Sequence, residues 1–179
     1  MTRYVALLRA VNVGGTVVRM EALRGHLESL GLTSVTTLLQ SGNVVFQATQ
    51  TTSRALEELL ERTTASALGV ETTYFVRSAA EWGRLAAANP FREEAERDPA
   101  HLHVSVLKTA PPDGSWARLE AAIVGRERVR AGDRAAYIVY PDGSGTSKFT
   151  LGVIERTLGT RGTNRNWNTV TKLARLVGA

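Results

Sequence analysis

The chain has 179 residues, 43% of them hydrophobic, no cysteine and a formal net charge of +5. That length can bury a real core in one large or two small domains, and the missing cysteines exclude disulfides, thiolate metal sites and a cysteine nucleophile. The longest apolar runs, "YVALL" and "AAIV", fall far short of the ~20 residues a membrane helix needs, and no charged-then-apolar leader opens the chain, so a cytoplasmic protein with no membrane contact is expected.

"RYVALLR" (3 to 9) is a β-rich run. Tyr4, Ala6 and Leu8 alternate with Val5 and Leu7, so both faces are apolar and the sheet is expected to be covered on both sides. Met20, Leu23, Leu27 and Leu30 then recur at helical spacing up to Gly31, a natural C-terminal stop. "SVTTLLQ" and "NVVFQA" flank Ser41-Gly42 as a hairpin, and Ser53 is placed to cap a helix carrying Leu56, Leu59, Leu60 and Leu68 before Gly69. "ETTYFVR" closes the order βαββαβ as a fourth strand.

The second half repeats this grammar after a short helix (79 to 88) and an irregular acidic stretch, "NPFREEAERDP". "HLHVSVLK" reads as a strand, Asp113 or Ser115 starts the helix "WARLEAAIV", and "ERVRA" and "AAYIVY" form a hairpin around Gly132-Asp133. A helix with Phe149, Val153, Ile154 and Leu158 follows, and Trp167, Val170, Leu173 and Leu176 mark a last helix where a fourth strand would stand. The expected fold is α+β: two packed ferredoxin-like units, 1–78 and 79–179, the second lacking its last strand and ending in an extra helix.

Four stretches, "YVALLRAVNVGG", "LQSGNVVF", "YPDGSGTSKFTLGVIERTLG" and "TNRNWNTVTKL", together resemble the bacterial Domain of Unknown Function 1697 family in the expected order. The resemblance implies a two-part ferredoxin-like α+β protein and no agreed biochemical activity. The chain departs from the family pattern at Ala10, where glycine is usual, and in "TVVRM", where lysines are usual, so no basic patch carries over onto this loop.

Several polar stretches are candidate sites. Arg9, Asn12, Gly14 and Gly15 after the first strand converge on Gln40, Ser41 and Asn43 of the hairpin, where amides and polar groups can cradle an anion, or serve only turn geometry. "DGSGTSK" places Ser147 and Lys148 before a helix, a phosphate-binding layout without the P-loop order, or a hairpin exit with a Thr146 or Ser147 cap. "TNRNWN" offers Asn164, Arg165 and Asn168 beside the last helix, which Thr163 or Asn166 can cap. There the guanidinium either meets a carboxylate or phosphate, or pairs internally. The helix between these last two stretches puts its ends roughly 15 Å apart, too far for one small anion. His101 and His103 share a strand face but lack a third ligand, so neither metal nor cofactor is expected.

Residues 126 to 179 carry 10 basic and 4 acidic side chains, yet 19 of the 22 cations are arginine, a compositional bias that weakens the charge as evidence for nucleic acid. Tyr4 and Phe46 are the aromatics on the expected central strands available for base stacking. No Ser-His-Asp order, acid pair or dinucleotide fingerprint stands out. The leading expectation is a binding protein with an anion- or polar-ligand-recognising site, its partner a phosphate-bearing or carboxylate small molecule. The alternatives are an enzyme acting on a phosphorylated small molecule, and weak nucleic-acid binding through the basic C-terminal third.

Overall fold

The computed structural model describes residues 1–12, 17–49 and 51–179. They form an α+β fold with two four-stranded antiparallel sheets, in two compact units: Met1–Gly83 with Leu173–Ala179, and Arg84–Lys172. No helix among the described residues is long and apolar enough to cross a membrane.

The first unit contains β1 (Thr2–Leu8), α1 (Met20–Ser29), β2 (Thr33–Leu38), β3 (Asn43–Ala48), α2 (Ser53–Leu68) and β4 (Tyr74–Ser78), with strand order β2-β3-β1-β4. Period-two alternation sends Tyr4, Ala6, Leu8, Val44, Phe46 and Val76 into one core with Leu23 and Leu27 of α1 and Leu56 and Leu60 of α2. Tyr4 and Phe46 therefore stack on each other in a buried core, at 5.7 Å between centroids, and offer no face to a base. The side chains of alternate parity, Val5, Leu7 and Phe75, are buried as well. Helix α2 is capped by Thr52, not Ser53: the Thr52 hydroxyl accepts the Ala55 amide at 3.1 Å, and left-handed Gly69 ends the helix.

β4 is an edge strand, and carboxylates close its outer side. Glu61, Glu57 and Glu81 accept the amides of Tyr74, Val76 and Ser78 at 2.9, 2.8 and 2.7 Å. Alternate amides of an edge strand point away from its neighbour, so three side chains stand where a further strand would pair.

α3 (Ala79–Ala87) leads to α4 (Arg92–Arg97), a short helix within the acidic stretch expected to be irregular. The second unit continues with β5 (Leu102–Leu107), α5 (Ser115–Ala121), β6 (Arg128–Gly132), β7 (Ala135–Val139), α6 (Leu151–Leu158) and β8 (Gly162–Asn166), and α7 (Trp167–Val177) follows. Its strand order, β6-β7-β5-β8, repeats that of the first unit.

The expected absence of a fourth strand here is overturned. β8 pairs antiparallel with β5, from Gly162 opposite Leu107 to Asn166 opposite His103. "GTNRN" carries no apolar alternation because an edge strand needs only a backbone partner on one side, so periodicity could not reveal it. Gly162 lets the two strands approach, since a Cβ there would stand 2.9 Å from Ser105 Oγ and 3.2 Å from Leu107 Cδ2 and these side chains would have to shift. α5 begins at Ser115, one of the two expected starts, after left-handed Gly114 with no side-chain cap. One further capping expectation changes: α6 is capped by Thr150, whose hydroxyl accepts the Val153 amide at 3.4 Å.

Candidate functional site

The loops at the top of the first sheet are tied by their own hydrogen bonds. Asn12 Nδ2 donates to Gln40 O at 2.6 Å and Val18 O at 3.0 Å, while its Oδ1 accepts the Val18 amide at 2.8 Å. Buried Asn43 donates to Leu38 O and Ser41 Oγ, both at 2.9 Å. The Arg9 amide and carbonyl bind Thr73 O and Thr72 Oγ1. Asn12 thus meets the hairpin at Gln40 and Asn43 meets Ser41, while the Arg9 backbone is tied instead to Thr72 and Thr73 ahead of β4, and the two asparagines spend their amides on the chain. Gly14 and Gly15 lie outside the described residues.

In the second unit the sequence-derived candidates separate and regroup. Arg165 and Asn164 are consecutive on β8 and so face opposite sides of the sheet. The Arg165 guanidinium turns back on its own strand, donating from Nη1 to Thr163 Oγ1 and Asn164 O, both at 2.8 Å. Burial pushes it down to about 10, still charged at neutral pH. Asn168 is exposed on α7, while Asn166 caps that helix through the Thr169 amide at 3.0 Å. Lys148 is exposed beside Ser147, whose hydroxyl accepts the Phe149 amide at 2.9 Å and donates to Glu127 Oε1.

The expected 15 Å gap between the two stretches does not keep them apart, because β8 runs back along the sheet after α6 has run down it. Tyr140 joins them. Its hydroxyl donates to Phe149 O at 3.0 Å and is hydrogen-bonded by the Asn164 side chain, and its ring meets His103 edge-on at 5.1 Å. Burial, and next the Glu127 carboxylate, push the phenol above its ordinary range, against the bond from Asn164.

Four buried polar atoms of this unit have no hydrogen-bond partner among the described residues: His103 Nδ1, Ser105 Oγ, Glu127 Oε2 and Asn164 Oδ1. His103 and Asn164 are the two whose side chains meet Tyr140, whereas Glu127 Oε2 lies against Gly125 and Ser105 Oγ against Gly162. Ser105 stands directly opposite Asn164 across β5 and β8, and His103 lies two residues along the same face. Leu107, Ala136 and Ile138 continue that face into the apolar core under α5 and α6, so the polar groups sit at one end of a core. Sequence reasoning weighed His103 only as a metal ligand and did not single out Ser105, Glu127 or Tyr140. The alternation in "HLHVSVL", three polar residues in register with the buried Leu107, is the signal that points to Ser105; Glu127 leaves none.

A second feature of this unit is a surface cleft of about 500 Å³ lined by Pro112, Ser115, Arg118, Arg156 and Thr157, with Arg118 Nη2 donating to Ser115 Oγ at 3.1 Å. Among the described residues no group of three or more His, Cys, Asp or Glu side chains is placed to hold a metal ion.

The chain is similar over its whole length to a solved structure, the conserved bacterial protein SP0830 from Streptococcus pneumoniae, with a TM-score of 0.75, 22% identity, and coverage of 100% of this chain and 99% of that one. Likeness at that identity speaks for the fold alone. No curated protein matches the chain. The model of one family, a protein of unknown function termed DUF1697, matches residues 1–137, which takes in the first sheet and the second as far as β7. The chain belongs to the DUF1697 family.

Proposed function

We propose that this is a binding protein whose polar-ligand site is the Tyr140 cluster of the second unit. One observation carries the reading: His103 Nδ1 and Asn164 Oδ1, on the two side chains that meet the ring and hydroxyl of Tyr140, are buried with no hydrogen-bond partner among the described residues. Each such atom costs about 1–3 kcal/mol of lost hydration, and a group of them persists where a guest supplies the missing bonds. Each unit is read as ferredoxin-like, a reading supported by the βαββαβ order and the recurring antiparallel neighbours. On that scaffold His103, Ser105 and Asn164 stand on the paired strands β5 and β8, a placement that suits recognition.

The test is a thermal-shift screen of small polar compounds on the full chain. A stabilising compound should lose its effect in Asn164→Ala and keep a normal response in Asn12→Gly, whose site is elsewhere. Hits indifferent to Asn164→Ala would sink the assignment. A second reading, an enzyme or binder for a phosphorylated small molecule, draws on the Arg118 and Arg156 cleft. Phosphate stabilisation that Arg156→Ala abolishes and Asn164→Ala preserves would favour it.

A further inference from the structure

We infer that a small pocket on the first sheet binds a short-chain carboxylate, because its lining joins one guanidinium to neutral polar side chains and an apolar wall, with no acid among them. The pocket belongs to the first unit and stands apart from the Tyr140 reading above.

Its volume is about 150 Å³, and Arg3, Ser34, Thr36, Val45, Gln47 and Leu176 line it. The strand register brings the sheet residues together. Arg3 stands opposite Gln47 across β1 and β3, Thr36 stands opposite Val45 across β2 and β3, and Gln47 and Val45 are two residues apart on one face. The register of β2 shifts between Thr33 and Thr36 as a bulge, and Ser34 within it is left-handed at φ 52°. Bulges re-aim side chains, and this one adds Ser34 to the lining. Helix α7 supplies Leu176, an exposed leucine, and left-handed Gly178 just past the helix leaves room for Arg3, since a Cβ there would stand 3.1 Å from Arg3 Nη1.

Among the described residues the side chains of Arg3, Ser34, Thr36 and Gln47 make no hydrogen bond or ion pair, so all four are open to a guest. A carboxylate presents two oxygens to the guanidinium fork, and the two hydroxyls and the Gln47 amide can donate to its remaining lone pairs. One charge meets one charge. An ammonium group would be repelled by Arg3, and a phosphate monoester would bring nearly two negative charges to a single cation. Val45 and Leu176 offer an apolar side to a short alkyl tail. A cavity of this volume holds a ligand the size of benzene, about six heavy atoms.

The probe is sodium propionate at about 100 mM and neutral pH against the full chain, with sodium chloride at the same ionic strength as the control. A ligand of about five heavy atoms binds in the millimolar range, so the Tm of the wild type should rise by roughly 2 to 5 °C above the control. Arg3→Gln should abolish that rise, and because Arg3 is exposed the variant should melt near the wild type in chloride. Should it fail to fold, Thr36→Val decides: it keeps the shape, removes a hydroxyl and should at least halve the rise. Asn164→Ala, in the other unit, should leave the rise whole. A hit that Arg3→Gln cancels belongs to this pocket and does not count against the Tyr140 assignment, so the two readings fail separately. Equal rises in wild type and Arg3→Gln overturn the inference, as does no rise at all. Phosphate or propylammonium outperforming propionate in an Arg3-dependent way overturns the carboxylate class.

Discussion

Glu57 Oε1 accepts the Val76 amide at 2.8 Å while standing 3.6 Å from the Arg77 guanidinium, and both charged side chains are almost wholly buried. One carboxylate thus closes an amide of edge strand β4 and faces an interior cation. Glu57→Ala should lower the stability of the folded state by about 3–5 kcal/mol, because it leaves a buried amide open and takes a partner from a buried charge. Urea unfolding of the full chain measures it. A loss under 1 kcal/mol would mean that water replaces the carboxylate, and that the edge is not closed in the way proposed.

Glu81 should make stability fall in acid. Burial opposes its charge, but the hydroxyl of Ser53, the amide and hydroxyl of Ser78 and the charge of Arg77 outweigh it and hold the carboxyl below its usual range. A carboxyl whose folded value lies below its unfolded value stabilises the fold above the unfolded value, and loses that contribution as pH falls through the folded one. Wild type should therefore exceed Glu81→Gln in Tm at neutral pH, and the two should converge below the ordinary glutamate range. Parallel curves down to the most acid pH would refute the assignment to Glu81.

How much of this was legible beforehand depended on what each element needs from its side chains. The core strands β1, β3, β5 and β7 were read from apolar residues that pack on both sides or against helices, and those residues carry the signal. β8 and α4 carry none: "GTNRN" relies on the backbone of β5, and "REEAER" is polar all round. Missing β8 also left Asn164 apart from Phe149 and its neighbours, because only the pairing of β8 with β5 brings Asn164 to Tyr140. A parallel between the units was available in the sequence. Thr52 precedes Glu57 by five residues and Gly69 ends that helix, and Thr150, Glu155 and Gly159 play the same parts in the second unit.

Asn12 is left-handed at φ 56° and its side chain binds Gln40 O and the Val18 backbone, so it shapes its loop twice over. Asn12→Gly keeps the conformation and loses the bonds, and should cost about 1–2 kcal/mol. Asn12→Ala loses both and should cost about 1 kcal/mol more. Equal losses in chemical denaturation would show that the backbone conformation contributes nothing.

Arg165→Ala should destabilise the protein by about 1.5–3 kcal/mol, the range for hydrogen bonds from a charged donor, since Thr163 Oγ1 and Asn164 O both accept from it. Phosphate should shift the Tm of wild type and variant alike, because the guanidinium is turned into its own strand. An anion effect present in wild type and lost in Arg165→Ala would restore this arginine as a ligand residue.

Glu155 repeats the task of Glu57 with less at stake. Its Oε1 accepts the Gly162 amide at 2.9 Å on edge strand β8, but Glu155 is only half-buried, and Gly162 is the first residue of its strand. Water can reach such a carboxylate, and its removal costs little more than one charged hydrogen bond. Glu155→Ala should therefore lose about 1–2 kcal/mol against the 3–5 expected for Glu57→Ala. The comparison separates edge closure from burial. If both variants lose the same amount, the carboxylate-to-amide bond sets the cost in each unit; if only Glu57→Ala is costly, the buried Arg77 sets it.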